Sequence, residues 1–317
     1  MLLACDIGNS SSNFGIFDEK NNIIKTFKVS TAKISSLNDL KKLFAKNFSP
    51  KEISNASISS VVPSADPIYK EFFDKTKINS FYISSKIKLN IRICLENSNK
   101  LGSDRIANVS YAFFAEQKFH IIVDSGTALT IDVMDKRGCF LGGIIFPGLS
   151  MLTNSLYQST EKLPIVEATK KNIKKIGIIG TNTENSILSG IYFGYIYSIK
   201  GFIDNIYKYY NCKPEDTNII ITGGNCNLIF DALNLKYQNR IDKFWTLKGI
   251  KYLYDLNIKD KKFLFPKSSL SKGVITSCIL ESGGHIDDFI LYENVAKDIS
   301  EETIEEIHSF EADYIVF

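Results

Sequence analysis

The sequence predicts an α/β protein with two mixed sheets, built as two copies of one unit. One phrase occurs twice: an apolar strand ends in an aspartate, Asp6 or Asp124, and a glycine-containing turn of small polar residues follows. In both copies a second apolar strand and then a charged turn come next, so the flanking pattern is shared as well. After the first copy, helical and strand patterns alternate, which is typical of an α/β domain.

The first unit begins with a three-stranded meander over residues 2–5, 13–17 and 23–29. Alternating helical and strand patterns follow it. These later elements are, in chain order, a helix at 37–48, a strand at 56–61, a helix at 68–75 and a strand at 80–83. A meander followed by such alternation predicts a mixed sheet.

The second unit is preceded by a helix predicted over residues 106–116. Asp104 and Arg105 come just before it, near the positive pole of the helix dipole. The second meander starts at Phe119 and ends in the turn-rich run 142–148, and a further helix is predicted at 149–156.

The longest helical pattern covers residues 183–210, and its apolar residues occupy much of the helix surface. This is typical of a helix between two packed layers. A buried strand at 218–222 then runs into Gly223 and Gly224, a loop that would suit a flat nucleotide base. On its own this loop is weak support, because two glycines after a strand are common.

The chain of 317 residues is long enough for two domains with their own cores. We predict domains at residues 1–113 and 114–257, followed by an appended extension at 258–317 whose role the sequence does not reveal. The extension combines a polar linker, an acidic bias from Glu281 onward and a short helix from about Ser300. His285 and the aspartates near it are better explained by a solvated turn than by a metal site.

Composition argues against several classes of protein. The formal net charge is only +3, which does not favour nucleic acid as the main partner. No stretch approaches the length of a membrane span, so we expect a cytoplasmic protein without a membrane partner. The six cysteines are scattered without a Cys-x-x-Cys pair, and the three histidines lie near none of them in sequence. We therefore expect reduced, buried thiols and not a zinc site.

The repeated turn suits phosphate binding. Gly8 and Gly126 allow the backbone to approach an anion, and neighbouring N–H and hydroxyl groups can point at it. The aspartate can hold a cation that accompanies the phosphates. A lone turn of this kind is more often only a hairpin, but the shared flanking pattern favours two turns facing each other across a nucleotide. A Walker-type Gly-x-x-x-x-Gly-Lys loop is absent from the sequence.

Several motifs, taken in order, resemble those of the type III pantothenate kinases. They are Asp6-Ile7-Gly8-Asn9-Ser10, Gly102-Ser103-Asp104-Arg105, Asp124-Ser125-Gly126-Thr127, Gly142-Gly143 with Pro147-Gly148, Thr183, and Thr222-Gly223-Gly224. Each is modest alone, but the ordered set is specific. The resemblance covers roughly residues 1–257. It implies two ribonuclease H-like domains of the actin and sugar-kinase superfamily, in agreement with the duplication.

The same resemblance implies an activity and its cofactors. The expected reaction is the ATP-dependent phosphorylation of pantothenate to 4'-phosphopantothenate, the first step of coenzyme A biosynthesis. The expected cofactors are magnesium and a monovalent cation, potassium or ammonium. The family's enzymes are homodimers with the active site at the subunit interface.

Site residues follow from the resemblance too. Asp104 matches the general base, Asp124 the ligand of the monovalent cation, Thr127 a nucleotide contact and Thr183 a substrate contact, while Asp6 would lie near the magnesium. The stretch that would wrap the ATP phosphates comprises Asp6, Ile7, Gly8, Asn9, Ser10, Ser11, Ser12 and Asn13. The stretch that would bind pantothenate comprises Gly102, Ser103, Asp104 and Arg105.

Elementary chemistry makes the Asp104 assignment plausible without the family. A primary hydroxyl is a poor nucleophile, and a carboxylate within hydrogen-bond reach can take its proton. Arg105 could fork onto a substrate carboxylate or another polar group. From the local sequence alone, a helix-capping Asp104 beside a solvated Arg105 is the simpler interpretation. The full motif set favours the catalytic one.

The sequence departs from the family pattern before Gly102. Many members have a tyrosine seven residues ahead of this glycine and a proline four ahead, where this chain has Leu95 and Ser98. The tyrosine usually touches substrate, so a kinase of another small hydroxyl-bearing metabolite is an alternative. A non-catalytic nucleotide-binding regulator is a second alternative, although a pure binder has no need of the base.

Overall fold

The computed structural model of the chain describes residues 1–235 and 239–259. The first half has a five-stranded sheet in the order β3-β2-β1-β4-β5. Its strands are β1 (Leu2–Ile7), β2 (Ser11–Phe17), β3 (Ile23–Ser30), β4 (Asn55–Ser60) and β5 (Asn79–Tyr82). The first three strands form an antiparallel meander, and β4 and β5 add in parallel. Helices α1 (Leu37–Asn47) and α2 (Asp66–Thr76) connect the later strands.

The second half has a six-stranded sheet in the order β11-β10-β7-β8-β9-β6. Its strands are β6 (Arg92–Ile93), β7 (Phe119–Ser125), β8 (Ala128–Met134), β9 (Cys139–Pro147), β10 (Thr217–Thr222) and β11 (Asn239–Ile241). The remaining helices are α3 (Ser103–Ala115), α4 (Leu149–Gln158), α5 (Lys170–Ile173), α6 (Thr183–Tyr210), α7 (Cys226–Leu233) and α8 (Trp245–Tyr254), with a π-helical turn at Asp255–Lys259.

The duplication predicted from sequence is confirmed by strand order. If β6 is set aside as an addition at the edge, the second sheet repeats the first, with β7 in the place of β1 and β10 in the place of β4. Asp6 pairs with Asn13 on the adjacent strand, as Asp124 pairs with Thr130. This is the two-domain ribonuclease H-like α/β architecture that the sequence predicts.

Two helices form a layer between the two sheets. On β1, Leu2 and Ala4 pack in one cluster with Ile250 of α8. Residues of the second sheet, including Ile122 and Ile220, pack in another cluster with α3 and Trp245. The two helices approach closely, because a Cβ added at Gly249 would lie 2.2 Å from the carbonyl oxygen of Ala107. The outer face of the second sheet is covered mainly by α6.

Several elements were not predicted from the sequence: β6, β11, α5, α7 and α8. They are short, and α8 is apolar on most of its surface because it is buried between the two sheets. The division into domains at residue 113 stays a prediction; β6 joins the second sheet, while α8 packs on the first. The predicted extension lies outside the described residues from residue 260 on. No helix in the described ranges has both the length and the apolar character needed to cross a bilayer.

The expectation of six reduced cysteines is wrong for one pair. Cys94 and Cys139 form a disulfide, with their Cα atoms 6.1 Å apart. The bond links residues that the parallel pairing of β6 with β9 brings together, and no local sequence pattern signals this pairing. Cys5 and Cys226 are buried free thiols, as expected.

Candidate active site

Helix α3 connects the two sheets at its first turns. The Ser103 and Ser59 hydroxyl oxygens are 2.9 Å apart, and Ser103 Oγ also donates to the carbonyl oxygen of Ser60 on the first sheet (3.1 Å). On the other side, Asn108 Nδ2 donates to Asp124 Oδ2 of the second sheet (3.1 Å). Asp104, at the start of the same helix, therefore lies where the strands bearing the repeated aspartates end.

The first repeated turn is held by a network of backbone and hydroxyl groups. Gly8 N donates to Ser11 O (3.1 Å), and Thr31 Oγ1 donates to Gly8 O (2.6 Å). Asn13 Nδ2 donates to Asp6 Oδ2 (3.1 Å), so the carboxyl group is oriented by the strand that returns from the turn.

The predicted phosphate-binding stretch divides between two faces of the sheet. Ile7 belongs to the cluster under α1 and α2, and Ser12 is buried beside Thr31 on that same side. Because side chains alternate along a strand, Asp6 and Asn13 lie on the opposite face, toward α3 and the second sheet. Asn9 and Ser10 are exposed at the tip. Ile7 and Ser12 can thus offer only backbone groups to a ligand in the cleft.

Three of the sequence motifs converge at the second repeated turn. Thr127 is exposed at its tip. A Cβ added at Gly148 would lie 2.2 Å from the Thr127 carbonyl oxygen, and one at Gly223 would lie 2.3 Å from Asp124 Oδ1. Gly223 also has a φ of +89°, which L side chains rarely adopt. The glycines of these motifs therefore allow two loops to pack directly against the Asp124 turn.

Arg105 is paired with an aspartate that the sequence analysis did not single out. Arg105 Nε and Nη2 both donate to Asp132 Oδ1 of β8, at 2.7 and 2.5 Å. The guanidinium also stands 5.5 Å from the centre of the Phe140 ring. A Cβ added at Gly143 would lie 2.7 Å from both Arg105 Nη2 and Asp132 Oδ1. The second glycine of the Gly142-Gly143 motif thus makes room for this ion pair.

The charge of Asp104 acts on the other two predicted carboxyl groups. Burial and the charge of Asp104 raise the pKa of Asp6 to about 7. Burial, with the charges of Asp104 and Asp6, also raises the pKa of Asp124 to about 7. Burial raises the pKa of Asp104, which Arg105 opposes. The three predicted acids therefore share one electrostatic environment, as carboxylates gathered for catalysis or cation binding do.

Some buried oxygen atoms in this region have no hydrogen-bond partner among the described residues. They are Asn108 Oδ1, Thr222 Oγ1 and Asp132 Oδ2. Thr222 is the neighbour of Asp124 across the β7–β10 pairing, so two of these oxygens flank Asp124. Within residues 1–235 and 239–259, no group of three or more His, Cys, Asp or Glu could hold a metal ion by itself.

The residues predicted to contact pantothenate do not all lie on one element. Gly102 precedes α3 as its N-cap residue, next to Ser103 and Asp104. Thr183 is the first residue of α6 and is exposed, and within residues 1–235 and 239–259 no hydrogen bond joins its side chain to any of the three acids. Leu95 lies beside β9, with Cδ2 3.5 Å from a Cβ added at Gly142.

Asn108 and Asp132 are the residues of the candidate site that were not predicted from the sequence. The sequence does contain a signal for each, namely a polar residue within an apolar run. Asn108 occurs in the helix after Asp104, and Asp132 occurs between Ile131 and Val133. Both are fully buried. A buried polar residue of this kind needs a partner, which points to a network.

Comparisons with known proteins agree with the motif set. The profile of the type III pantothenate kinase family matches residues 2–205. A type III pantothenate kinase of Sulfurihydrogenibium sp. (strain YO3AOP1) is 36% identical over 259 residues, which cover 80% of this chain and 99% of the relative. Another from Citrifermentans bemidjiense is 33% identical over 267 residues, covering 81% and 100%. A conserved Campylobacter jejuni protein, described as a Baf family transcriptional activator, shares the fold with a TM-score of 0.52 at 19% identity, covering 81% of this chain and 99% of that one.

Proposed function

The chain belongs to the type III pantothenate kinase family, and we propose that its cleft between Asp6, Asp104 and Asp124 is the site of the reaction. As a member of this family, the chain is a kinase that phosphorylates pantothenate in coenzyme A biosynthesis. The observation that carries the proposed site is that α3 holds Asp104 between the strands that bear Asp6 and Asp124, where the charge of Asp104 raises the pKa of both.

Asp104 is the proposed general base. The pantothenate hydroxyl oxygen attacks the γ-phosphorus of ATP, ADP leaves, and the hydroxyl proton passes to the Asp104 carboxylate as the new O–P bond forms. Burial raises the pKa of Asp104, which makes the carboxylate a better proton acceptor than an exposed aspartate. Arg105 and the Ser103 hydroxyl fix the first turn of α3, so the base is held in one position.

The Asp6 turn is the proposed phosphate site. Its exposed tip, Asn9 and Ser10, offers backbone and side-chain donors, and Gly8 allows close approach. Asp6 would hold magnesium, which is commonly bound by one or two carboxylates together with substrate phosphates. A single oriented carboxylate fits that coordination, and the bound ion would neutralise charge on the β- and γ-phosphates. Thr127 and the loop after β10 would contact the nucleotide from the other side.

Asp124 is the proposed ligand of potassium or ammonium. Asn108 Oδ1 and Thr222 Oγ1 are buried, flank this carboxyl group and have no partner among the described residues. Oxygen donors of this type suit a hard monovalent cation. Burial and neighbouring acids keep the pKa of Asp124 at about 7, so a bound cation would favour its ionised form.

Pantothenate would bind along Gly102, Ser103, Asp104 and Arg105, with Thr183 as a further contact.

We propose a homodimer with the site at the subunit interface. Two features of the second half support it. Ile145 and Tyr197 are large hydrophobic side chains with 67% and 57% exposure, and no neighbouring group among the described residues lies within 4 Å of a Cβ added at Gly190 or Gly194 of α6. A cytoplasmic location is proposed because the reaction consumes ATP.

A direct assay tests the proposed function. The purified chain is incubated with ATP, magnesium, potassium and pantothenate, and the product is identified by mass spectrometry. We expect 4'-phosphopantothenate, formed in equal amount to ADP. Parallel reactions with other small hydroxyl-bearing metabolites test specificity near Leu95. Phosphorylation of one of these, without turnover of pantothenate, would assign a different acceptor to the same cleft.

A further inference from the structure

Lys28 lies in a cross-strand row with the two polar residues of the phosphate site. Asp6 of β1 is opposite Asn13 of β2, and Asn13 is opposite Lys28 of β3. Residues in register on neighbouring strands share a face of the sheet. The neighbours of Lys28 along β3, Phe27 and Val29, pack against the core under α1 and α2. Lys28 therefore points the other way, to the face that carries Asp6.

The Lys28 side chain reaches from the first sheet to a loop of the second half of the protein. A Cβ added at Gly224, in the loop after β10, would lie 3.7 Å from Lys28 Nζ. The charge of Lys28 also reaches Asp6, whose pKa it lowers against the stronger effect of burial. The ammonium group is thus located between the Asp6 turn and the diglycine loop, which are the two loops proposed to hold the nucleotide.

The positive charge of Lys28 is available to neutralise a bound triphosphate. Arg105 is committed to Asp132, with two nitrogen atoms on one carboxylate oxygen. Lys28 is exposed, and its ammonium group forms no hydrogen bond or ion pair within the described part of the chain. A triphosphate brings several negative charges into a cleft that already contains Asp6, Asp104 and Asp124. A mobile ammonium group is suited to neutralising phosphate oxygens, since it acts as a compact point charge with rotatable donors.

We propose that Lys28 binds the β- and γ-phosphates of ATP and bridges the first half of the protein to the Gly224 loop. The inference rests on the proposed ATP site and adds a residue to it. Lys28 acts by binding and charge neutralisation, while proton transfer stays with Asp104. In this arrangement the lysine contacts oxygen atoms that ATP has and AMP lacks.

The test compares nucleotides that differ only in phosphate number. AMP, ADP and a non-hydrolysable ATP analogue are titrated into the parent chain and into Lys28→Met, with magnesium present. A charge-assisted hydrogen bond is worth enough to change affinity about tenfold. We expect Lys28→Met to weaken the ATP analogue about tenfold and ADP by a smaller factor, and to leave AMP unchanged. Lys28→Arg should recover most of the loss.

Lys25→Met is the matched control, because Lys25 is on the same strand with its side chain on the opposite face, near Asn47. It should bind all three nucleotides as the parent does. Equal binding of the ATP analogue by the parent and Lys28→Met would overturn the assignment of Lys28. So would an equal loss for AMP, ADP and the analogue, since that pattern reports a structural change.

Steady-state kinetics separate this inference from the proposed function. Lys28→Met should raise the KM for ATP about tenfold and leave the KM for pantothenate within about twofold. If the parent phosphorylates pantothenate and Lys28→Met has the same KM for ATP and the same kcat, only the role of Lys28 is wrong. If the parent binds no nucleotide at all, the proposed ATP site and the role of Lys28 are both wrong.

Discussion

Arg105 holds Asp132 through two nitrogen atoms that donate to the same carboxylate oxygen, Oδ1, at 2.7 and 2.5 Å. The carboxylate is fully buried, and its other oxygen has no partner among the described residues. The ion pair thus joins the first turn of α3, the helix that bears Asp104, to β8. Arg105 therefore supports the position of Asp104, in addition to its proposed place in the pantothenate-binding stretch.

Arg105→Met should lower the free energy of unfolding by about 3–5 kcal/mol, because it leaves the buried Asp132 without its cation. Urea denaturation measures this loss. Adding Asp132→Asn to Arg105→Met should recover part of it. The comparison pair is Lys75 with Glu71, which is half exposed, and Lys75→Met should change stability by less than about 1 kcal/mol. If breaking either ion pair lowers the free energy of unfolding by a similar amount, burial does not determine the energetic cost of losing the cation.

Gly143→Ala should destabilise the protein by about 1–3 kcal/mol through overpacking. The added methyl group would lie 2.3 Å from the Ile131 carbonyl oxygen and 2.7 Å from Arg105 Nη2. Gly201→Ala is the control, because within the part of the chain that the structure describes no neighbouring group lies within 4 Å of a Cβ at that helical position. It should be neutral or stabilising by up to about 1 kcal/mol. Thermal melting of both variants measures the difference in stability. Equal melting temperatures for Gly143→Ala and Gly201→Ala would contradict the crowding at Gly143.

Asp104→Asn should reduce kcat by about 100-fold or more, since an amide cannot accept the hydroxyl proton. Folding should be preserved or slightly improved, because burial raises the pKa of the Asp104 carboxyl and disfavours its charge. Kinetics and thermal melting are measured together. Asp74→Asn, at an exposed position on α2, should leave kcat as it is. If Asp104→Asn has the same kcat as the parent, Asp104 is not the general base.

Stability should depend on pH through Asp124. Its pKa is about 7 in the folded protein, above its ordinary value near 3.8, so the folded state binds the proton more tightly than the unfolded state. The stability that this group contributes is therefore fully present below about pH 4 and is lost as pH rises through about 7. His120 acts in the opposite sense, because burial lowers its pKa to about 4.

The difference between the parent and Asp124→Asn isolates the contribution of Asp124. Urea unfolding without nucleotide or potassium, between pH 5 and pH 8, should show the parent losing stability relative to the variant as pH rises. Adding potassium should reduce that loss if the cation binds beside the carboxylate. Parallel pH profiles for the two proteins would count against the raised pKa.

Asn108→Ala should raise the potassium concentration needed for half-maximal activity by about tenfold, the effect expected for losing one hydrogen bond to a charged group. It removes the donor that orients Asp124 and the adjacent unpartnered oxygen. Ser110→Ala is the control on the same helix, since its buried hydroxyl has no partner among the described residues. An unchanged potassium requirement in Asn108→Ala would separate this residue from the cation site.

The sequence predicted the architecture because repetition and period-two alternation are local signals. Both meanders and the long helix α6 appear in the structure close to their predicted bounds. The short elements were missed because tertiary burial, not local pattern, stabilises them. This is clearest for α8, where Gly249 lies against the backbone of α3.

Within the candidate site, motif order identified the acids but not what holds them. Asn108 and Asp132 find their partners 16 and 27 residues away in sequence, on different elements. Nothing in a single chain's local pattern specifies such pairs. The disulfide between Cys94 and Cys139 was missed for the same reason, since it depends on the pairing of a two-residue strand at a sheet edge.

Helix α3 is bonded to the first sheet through Ser103 and to the second through Arg105 and Asn108. A wide hinge opening between the two lobes would break these buried polar contacts together, at considerable energetic cost. At the proposed ATP site, nucleotide exchange should therefore proceed by displacement of the exposed turns at Asn9 and Thr127. The two halves of the protein should stay in place around helix α3.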